Sequence, residues 1–312
     1  MGKIPHIFFN SALDSASDWH HWLSAELGEI IFSVDDDCHD KSDVDVALLW
    51  TPPRYGLESM TGLKAILSLG AGVDQLMLGS LPGDVPLARL VDTSLTRHMV
   101  EYAKACVFRY HRRLHVFERN SRERRWHWSP PRLTSACVIG LLGFGRLGEA
   151  IALALTQEGF DVHGWSITPK QLPGVKAHVG ASGLNQLMAA SDIVINVLPL
   201  TESTRFILSK SLFELVRKPV CLINMGRGDH LVETDLLDAL DKGLVQAATL
   251  DMMSVEPMPV DHAFWNHPDI LITPHVAGLP SPQSAVRQVA ENVRRAMRAE
   301  PLLNPVYSAR GY

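Results

Sequence analysis

Val138-Ile139-Gly140-Leu141-Leu142-Gly143-Phe144-Gly145-Arg146-Leu147-Gly148 decides the fold. An apolar run from Cys137 to Leu142 leads straight into G-x-G-x-x-G. Glu149-Ala150-Ile151-Ala152-Leu153-Ala154-Leu155 follows, with good helix formers at helical spacing. The pattern predicts strand, tight turn and helix. Gly143 permits such a turn, Gly145 lets a pyrophosphate approach the backbone, and Gly148 lets the helix pack close to the strand. The helix N-terminus then faces the phosphates. A G-x-G-x-x-G alone says little; flanked by a strand and a helix it reads as a dinucleotide fingerprint. The competing readings are a tight turn with no ligand and the nucleoside-binding turn of a methyltransferase.

Working outward, 312 residues suggest two domains. With 46% hydrophobic and 20% charged residues, the composition is that of a soluble globular enzyme. A net charge of −5 argues against a nucleic-acid partner held by bulk electrostatics. Cys38, Cys106, Cys137 and Cys221 are widely spaced and form no C-x-x-C pair, which fits reduced thiols. No apolar stretch is long enough for a bilayer, and the N-terminus lacks the apolar core of a signal peptide. Gly2 makes no myristoylation site, because position 6 is His. A cytoplasmic protein without a membrane partner is expected.

Before the fingerprint, strands are predicted at Ile4–Phe9, Ile30–Val34, Val46–Trp50, Leu63–Leu69 and Leu87–Val91, with a helix over Asp14–Leu27. Alternating strands and helices imply a parallel sheet. Trp50 and the Gly70-Ala71-Gly72 loop fall at strand ends, where open α/β sheets bind ligands. The loop's backbone N–H groups suit a carboxylate. The alternatives are a half-buried packing residue for Trp50 and a plain turn for the loop. Thr96 to Arg122 reads as one long helix, apolar at Val100, Ala103, Val107, Tyr110, Leu114 and Phe117 and basic at Arg109, Arg112, Arg113, Arg119 and Arg122. The basic face is read as solvated or as a subunit interface. Trp126-His127-Trp128 then puts two large aromatics in a polar linker, suited to packing across a dimer.

After the fingerprint, strands are predicted at Phe160–Trp165, Asp192–Pro199, Val220–Asn224, Ala247–Asp251 and Ile270–Thr273, and helices at Leu231–Leu240 and Pro282–Met297. The last helix is expected to return to the first domain. Arg227, Glu256 and His275 each follow a strand, or the loop beyond one, on the edge where a nucleotide lies. Together they suit reduction of a carbonyl beside a carboxylate. Arg227 offers a planar charged fork. His275 can give a proton to the carbonyl oxygen as hydride reaches carbon. Glu256 can accept from the other ring nitrogen, orienting the imidazole and raising its pKa. Singly, an arginine is more often a surface ion pair, a histidine structural and a glutamate before proline a turn residue; the case rests on all three.

These motifs resemble the D-isomer-specific 2-hydroxyacid dehydrogenase family. The carriers are Leu69–Asp74, Gly143–Gly148, Leu198-Pro199-Leu200-Thr201, Ile223–Gly228, Leu250-Asp251, Val255-Glu256-Pro257 and Thr273-Pro274-His275-Val276-Ala277. Within that family the chain is most similar to the glyoxylate/hydroxypyruvate reductase A group, through Trp50–Pro53, His98-Met99-Val100-Glu101-Tyr102, Trp165-Ser166 and Ala309-Arg310-Gly311-Tyr312. The resemblance implies Arg227 and His275 as catalytic residues, with Glu256 paired to His275. It implies substrate contacts from Trp50, Gly70, Ala71, Gly72 and Arg227. Cofactor contacts are implied at Met99, Gly143, Phe144, Gly145, Arg146, Leu147 and Gly148, at Leu198, Pro199 and Thr204, and at Met225, Gly226, Arg227, Asp251, His275, Ala277 and Gly278. A homodimer built around the Val100–Arg119 helix is implied as well.

Cofactor choice turns on Trp165-Ser166-Ile167-Thr168-Pro169-Lys170. An NAD enzyme usually carries an acid here for the ribose hydroxyls, and this stretch has none. Ser166, Thr168 and Lys170 suit a 2′-phosphate, although the arginines usual in the group near positions 167 and 169 are replaced. NADP(H) is expected to be preferred, with NAD(H) also accepted. The expected architecture is α/β: two doubly wound parallel-sheet (Rossmann/flavodoxin-like) domains with a cleft between them. Residues 1–94 plus 284–312 form the substrate-binding domain and 95–283 the dinucleotide-binding domain. The expected activity is NADPH-dependent reduction of small 2-oxo acids, glyoxylate to glycolate and hydroxypyruvate to glycerate, with histidine as general acid and no metal. The alternatives are a dehydrogenase for a larger D-2-hydroxy acid and a nucleotide-sensing, corepressor-like interaction protein.

Overall fold

The apolar runs before the fingerprint become parallel strands: β1 (His6–Asn10), β2 (Ile31–Val34), β3 (Val46–Leu49), β4 (Ala65–Ser68) and β5 (Leu87–Ala88), with α1 (Ala16–Leu27) and the short α2 (Asp74–Met77) between them. The computed structural model describes residues 3–34, 41–77, 82–83, 85–278 and 282–306; Cys38 and Ala309–Tyr312 lie outside them. Two compact units result, Met1–Leu95 with Leu279–Tyr312, and Thr96–Gly278.

The first unit's sheet has the order β2-β1-β3-β4-β5, the flavodoxin-like order that reverses between β1 and β3. Alternate side chains supply two core layers. Ile7, Phe9, Val46 and Leu48 pack with Trp19 and Leu23 of α1, while Phe8, Ala47 and Leu49 pack with Leu57, Met60 and Leu76 on the other face. Each fully buried Val, Leu, Ile, Phe or Met side chain here is worth about 1.5–3 kcal/mol. Ser15 caps α1 by accepting from the Asp18 N–H. The buried Asp45 carboxylate accepts from Lys3 Nζ at 2.8 Å and the His6 N–H at 3.0 Å, and Lys64 Nζ lies 2.9 Å away.

The boundary between the units falls in the first turn of α3 (Thr93–His111), and α4 (Leu114–Arg122) follows it in the second unit. These correct the single helix expected over Thr96–Arg122. The break falls at Arg113, whose φ of 57° is left-handed. Tyr110 is the last residue of the stripe to be buried, whereas Leu114, one turn on, is 48% exposed. With no core left to follow, the chain turns, and Arg109 pairs with Glu118 across the break. Trp126 and Trp128 beyond it are exposed.

Next come β6 (Val138–Leu142), α5 (Arg146–Gln157), β7 (Asp161–Ser166), β8 (Val175–Val179), α6 (Gly180–Ala190), β9 (Ile193–Asn196), α7 (Lys210–Phe213), β10 (Val220–Asn224), α8 (Glu233–Asp241), β11 (Val245–Leu250) and β12 (Ile270–Ile272). All seven strands are parallel, in the order β12-β11-β10-β9-β6-β7-β8. The order reverses between β6 and β9, so the loops after those strands flank the switch point where such sheets take ligands. Leu142, Val194, Leu222 and Ala248 form its core with Leu187 of α6 and Leu236 of α8. Finally α9 (Pro282–Met297) returns to the first unit, setting Val286, Val289 and Val293 into the layer that holds α1.

Cys106, Cys137 and Cys221 are free and buried. Burial pushes their thiols up to about 11, 11 and 12, which leaves them protonated and unreactive at neutral pH. Among the described residues, no helix is long and apolar enough to cross a membrane.

Candidate active site

The three glycines of the fingerprint turn do different work. Gly143 has φ +104°, and a Cβ there would lie 2.9 Å from the backbone of Val197 and Leu198. A Cβ on Gly148 would lie 1.9 Å from the Gly143 carbonyl oxygen. These two let strand, turn and helix interlock. A Cβ on Gly145 would meet nothing within 4 Å, so space stands open above the turn. Gly145 is the N-cap of α5 and provides no side-chain cap, leaving the helix's first N–H groups to a ligand. This cradle fits the pyrophosphate of a dinucleotide. Arg146 beside it is exposed, Leu147 is half-buried, and Phe144 is buried against Gly164.

The loop after β10 carries Arg227. His230 is fully buried behind it. Its Nδ1 accepts the Arg227 N–H at 3.0 Å, so its Nε2 carries the hydrogen and points at the Pro199 carbonyl, 3.3 Å away. Asn224 Nδ2 donates to the Arg227 carbonyl at 2.9 Å, and Asn196 Nδ2 donates to Asn224 Oδ1 at 2.9 Å. A Cβ on Gly226 would lie 2.7 Å from Asn196 Nδ2 and 2.8 Å from His230 Nδ1. Arg227's backbone is therefore pinned, and its Nη1 donates to the Gly226 carbonyl at 2.9 Å. A Cβ on Gly228 would lie 2.0 Å from the Met253 carbonyl carbon. Glycine there lets the loop after β11, which bears Glu256, lie directly on the arginine's turn.

His275 Nδ1 lies 2.9 Å from Glu256 Oε2, and Glu256 Oε1 accepts the Met253 N–H at 2.9 Å. Burial alone would raise the Glu256 carboxyl. The hydrogen bonds from His275 and the Met253 N–H, with the charges of His275 and Arg227, outweigh it and hold the group below the usual carboxylate range. The His275 loop is itself braced. His275 has φ +55° and donates its N–H to the Asp251 carbonyl at 2.9 Å. The Asp251 carboxylate takes the Thr273 hydroxyl at 2.6 Å and the N–H groups of Val276 and Ala277 at 2.9 Å each. Thr273 Oγ1, already donating to Asp251, accepts from Tyr102 of α3, 2.6 Å away.

Other expected contacts are engaged inside the fold. Thr204 is buried, donating from Oγ1 to the Pro199 carbonyl at 2.7 Å and accepting the Thr201 N–H at 2.8 Å, so it shapes the loop after β9. Met99, Leu198, Met225 and Ala277 are buried, Gly226 is buried, Gly278 is half-buried and Pro199 is exposed. After β7, Ser166 Oγ donates to the Thr168 carbonyl at 2.6 Å, and Lys170 Nζ is 2.6 Å from Glu149 Oε1 of α5. In the first unit, Trp50 is half-buried and its backbone N–H donates to the Asn10 carbonyl at 2.8 Å; a Cβ on Gly70 would lie 2.7 Å from its ring. Trp50 and Gly70 are therefore stacked together, with Ala71 and Gly72 half-buried beside them; the Gly70 N–H donates to Ser68 Oγ at 3.1 Å, which corrects the expectation that it faces a carboxylate.

Tyr102, Asn196, Asn224, His230 and Thr273 escaped sequence reasoning as site residues. Asn196 and Asn224, polar residues closing apolar strands, gave a signal; His230 and Tyr102 gave none.

Residues 105–277 match the family described as D-isomer specific 2-hydroxyacid dehydrogenase, NAD binding domain. A glyoxylate/hydroxypyruvate reductase A of Yersinia enterocolitica is 40% identical over 279 residues, 88% of this chain and 89% of that protein. The crystal structure of a D-isomer specific 2-hydroxyacid dehydrogenase from Xanthobacter autotrophicus, in complex with NADPH and MES, is similar with a TM-score of 0.92 at 38% identity, covering 99% of this chain and 100% of that one. An NADPH-dependent glyoxylate/hydroxypyruvate reductase from Sinorhizobium meliloti, in complex with NADP and sulfate, gives a TM-score of 0.89 at 29% identity, again covering 99% and 100%.

Proposed function

The chain belongs to the D-isomer specific 2-hydroxyacid dehydrogenase family, and from that we propose an NADPH-dependent reductase of small 2-oxo acids, acting on glyoxylate and hydroxypyruvate. The observation that carries the acid–base part is the 2.9 Å contact between His275 Nδ1 and Glu256 Oε2. A carboxylate held below its usual range stays ionised at neutral pH and keeps Nδ1 as the donor. Nε2 is then the atom that gives its proton to the carbonyl oxygen. Arg227 grips the substrate's carboxylate or 2-oxo group through its guanidinium. The Gly70 N–H is given to Ser68 Oγ at 3.1 Å, so the further carboxylate contact falls to the N–H groups of Ala71 and Gly72, and Trp50, lying on Gly70, favours a small substrate.

The open cradle at Gly145 and the first turn of α5 would hold the pyrophosphate, and Ser166, Thr168 and Lys170 are the residues that would meet a 2′-phosphate. When bound, the nicotinamide supplies the hydride. The protein uses NADP(H) in preference to NAD(H), as the relatives crystallised with NADPH and NADP support. Thr204 and Asp251 contribute by shaping the loops around the cofactor, the second by holding the Val276 and Ala277 N–H groups. A homodimer is part of the proposal, built on α3 and the exposed Trp126–Trp128 arm.

The test is a panel of 2-oxo acids assayed at the nicotinamide absorbance band with both cofactors. Highest kcat/KM for glyoxylate or hydroxypyruvate with NADPH is expected. Preference for a bulky 2-oxo acid contradicts the substrate assignment, and binding of NADPH with no turnover contradicts the enzyme.

A further inference from the structure

The end of β7 is where a dinucleotide fold reads the ribose 2′ position, and here the reading group is already occupied. Lys170 is the one cation in the 166–170 loop. Its Nζ sits 2.6 Å from Glu149 Oε1, with both side chains 38% exposed. Glu149 lies in the first turn of α5, its N–H bonded to the Gly145 carbonyl at 2.8 Å. An acid in a first turn favours the helix by itself. That explains a glutamate on α5 but not its partner from the loop after β7.

We propose that Glu149 is a specificity-determining residue, setting the balance between NADPH and NADH by holding Lys170. The inference rests on the dinucleotide reading above and deepens it. β7 ends without the acid that would accept from a 2′-hydroxyl, and α5 delivers one to the same edge instead. A 2′-phosphate that takes Lys170 draws it from Glu149 and is left facing a carboxylate a few ångströms away. That charge offsets part of the ammonium's attraction, so the phosphate gains less over a hydroxyl than an unpaired lysine would give it. NADH meets no such penalty. Neutralising Glu149 while keeping its size frees Lys170 for the phosphate and sharpens the preference for NADPH.

The experiment is calorimetric titration of the full chain with adenosine 2′,5′-bisphosphate and with 5′-AMP, neither of which can turn over. Glu149→Gln is expected to bind the bisphosphate about fivefold tighter than the wild type, the scale of one exposed charge contact, with AMP unchanged. Lys170→Met is expected to weaken the bisphosphate alone and to shrink the gain from Glu149→Gln when the two are combined. In steady state, the ratio of kcat/KM for NADPH over NADH rises in Glu149→Gln. A bisphosphate affinity within twofold of wild type, or an equal gain for AMP, overturns the inference. If the wild type binds both ligands and Glu149→Gln changes nothing, this inference alone falls. If the wild type binds neither, the dinucleotide reading falls with it.

Discussion

Asp251 holds His275 in place by its backbone and its side chain: the His275 N–H donates to the Asp251 carbonyl at 2.9 Å, and the Asp251 carboxylate takes the N–H groups of the next two residues, Val276 and Ala277. The histidine's loop is thereby closed on a buried anion, with Tyr102 and Thr273 bracing the other side. In Asp251→Asn, an amide nitrogen must face one of the donors the carboxylate now satisfies. A buried donor left without an acceptor costs about 1–3 kcal/mol. The variant should melt earlier and lose kcat by more than it loses NADPH affinity, as read by thermal melts, steady-state kinetics and NADPH titration.

The fingerprint glycines separate folding from binding. Gly148→Ala drives a Cβ onto the Gly143 carbonyl, and Gly228→Ala drives one onto the Met253–Ser254 backbone. Each should destabilise by about 1–3 kcal/mol, the range for a forced backbone shift. Gly145→Ala adds a Cβ into open space at φ −87° and should melt like the wild type. It should nonetheless bind NADPH more weakly, because the methyl enters the cradle. Denaturant melts beside NADPH titrations distinguish the two classes.

Two carboxyls tie stability to acid pH. Burial pushes Asp45 up, but hydrogen bonds from Lys3, Lys64 and the His6 N–H outweigh it, so the carboxyl sits below its ordinary value; Glu256 is held low as well. The unfolded chain therefore binds these protons first as pH falls. The stability they contribute is complete above the ordinary carboxylate value and is lost as pH drops through the folded one, in a window below about pH 4. Asp45→Asn should be less stable than the wild type at pH 7, with the difference shrinking at pH 3. Urea melts at the two pH values measure it.

The exposed tryptophans give a prediction about assembly. Trp126 and Trp128 carry large apolar surface in a linker that buries neither. Replacing both with Ala should shift the chain toward monomer in sedimentation, with the melting of the isolated unit little changed. A monomeric wild type rules out the dimer.

Much of this was legible because parallel strands buried on both faces are continuous apolar runs, and because the fingerprint demands its own context. Val138–Gly148 gave strand, turn and helix, and Arg227, Glu256 and His275 stood out by following strand ends. β8 was missed: along Val175–Val179 only His178 is buried, so an edge strand left no apolar signature. The kink at Arg113 was missed because the apolar spacing runs on through Leu114, and only tertiary packing shows that the core has ended. The braces on the site, Tyr102 to Thr273 to Asp251 and His230 to Arg227, join residues far apart in sequence, where spacing carries no information.

The proton donor can be tested directly by following NADPH oxidation with glyoxylate, across pH, in wild type, Glu256→Gln and His275→Ala. An unoriented imidazole forfeits part of the 10²–10⁴ that a placed acid contributes, so Glu256→Gln should lose about tenfold in kcat. His275→Ala should still bind NADPH yet turn over about 10²–10⁴-fold more slowly. A His275→Ala enzyme with near-normal kcat throughout the pH range contradicts the assignment of the imidazole as the acid.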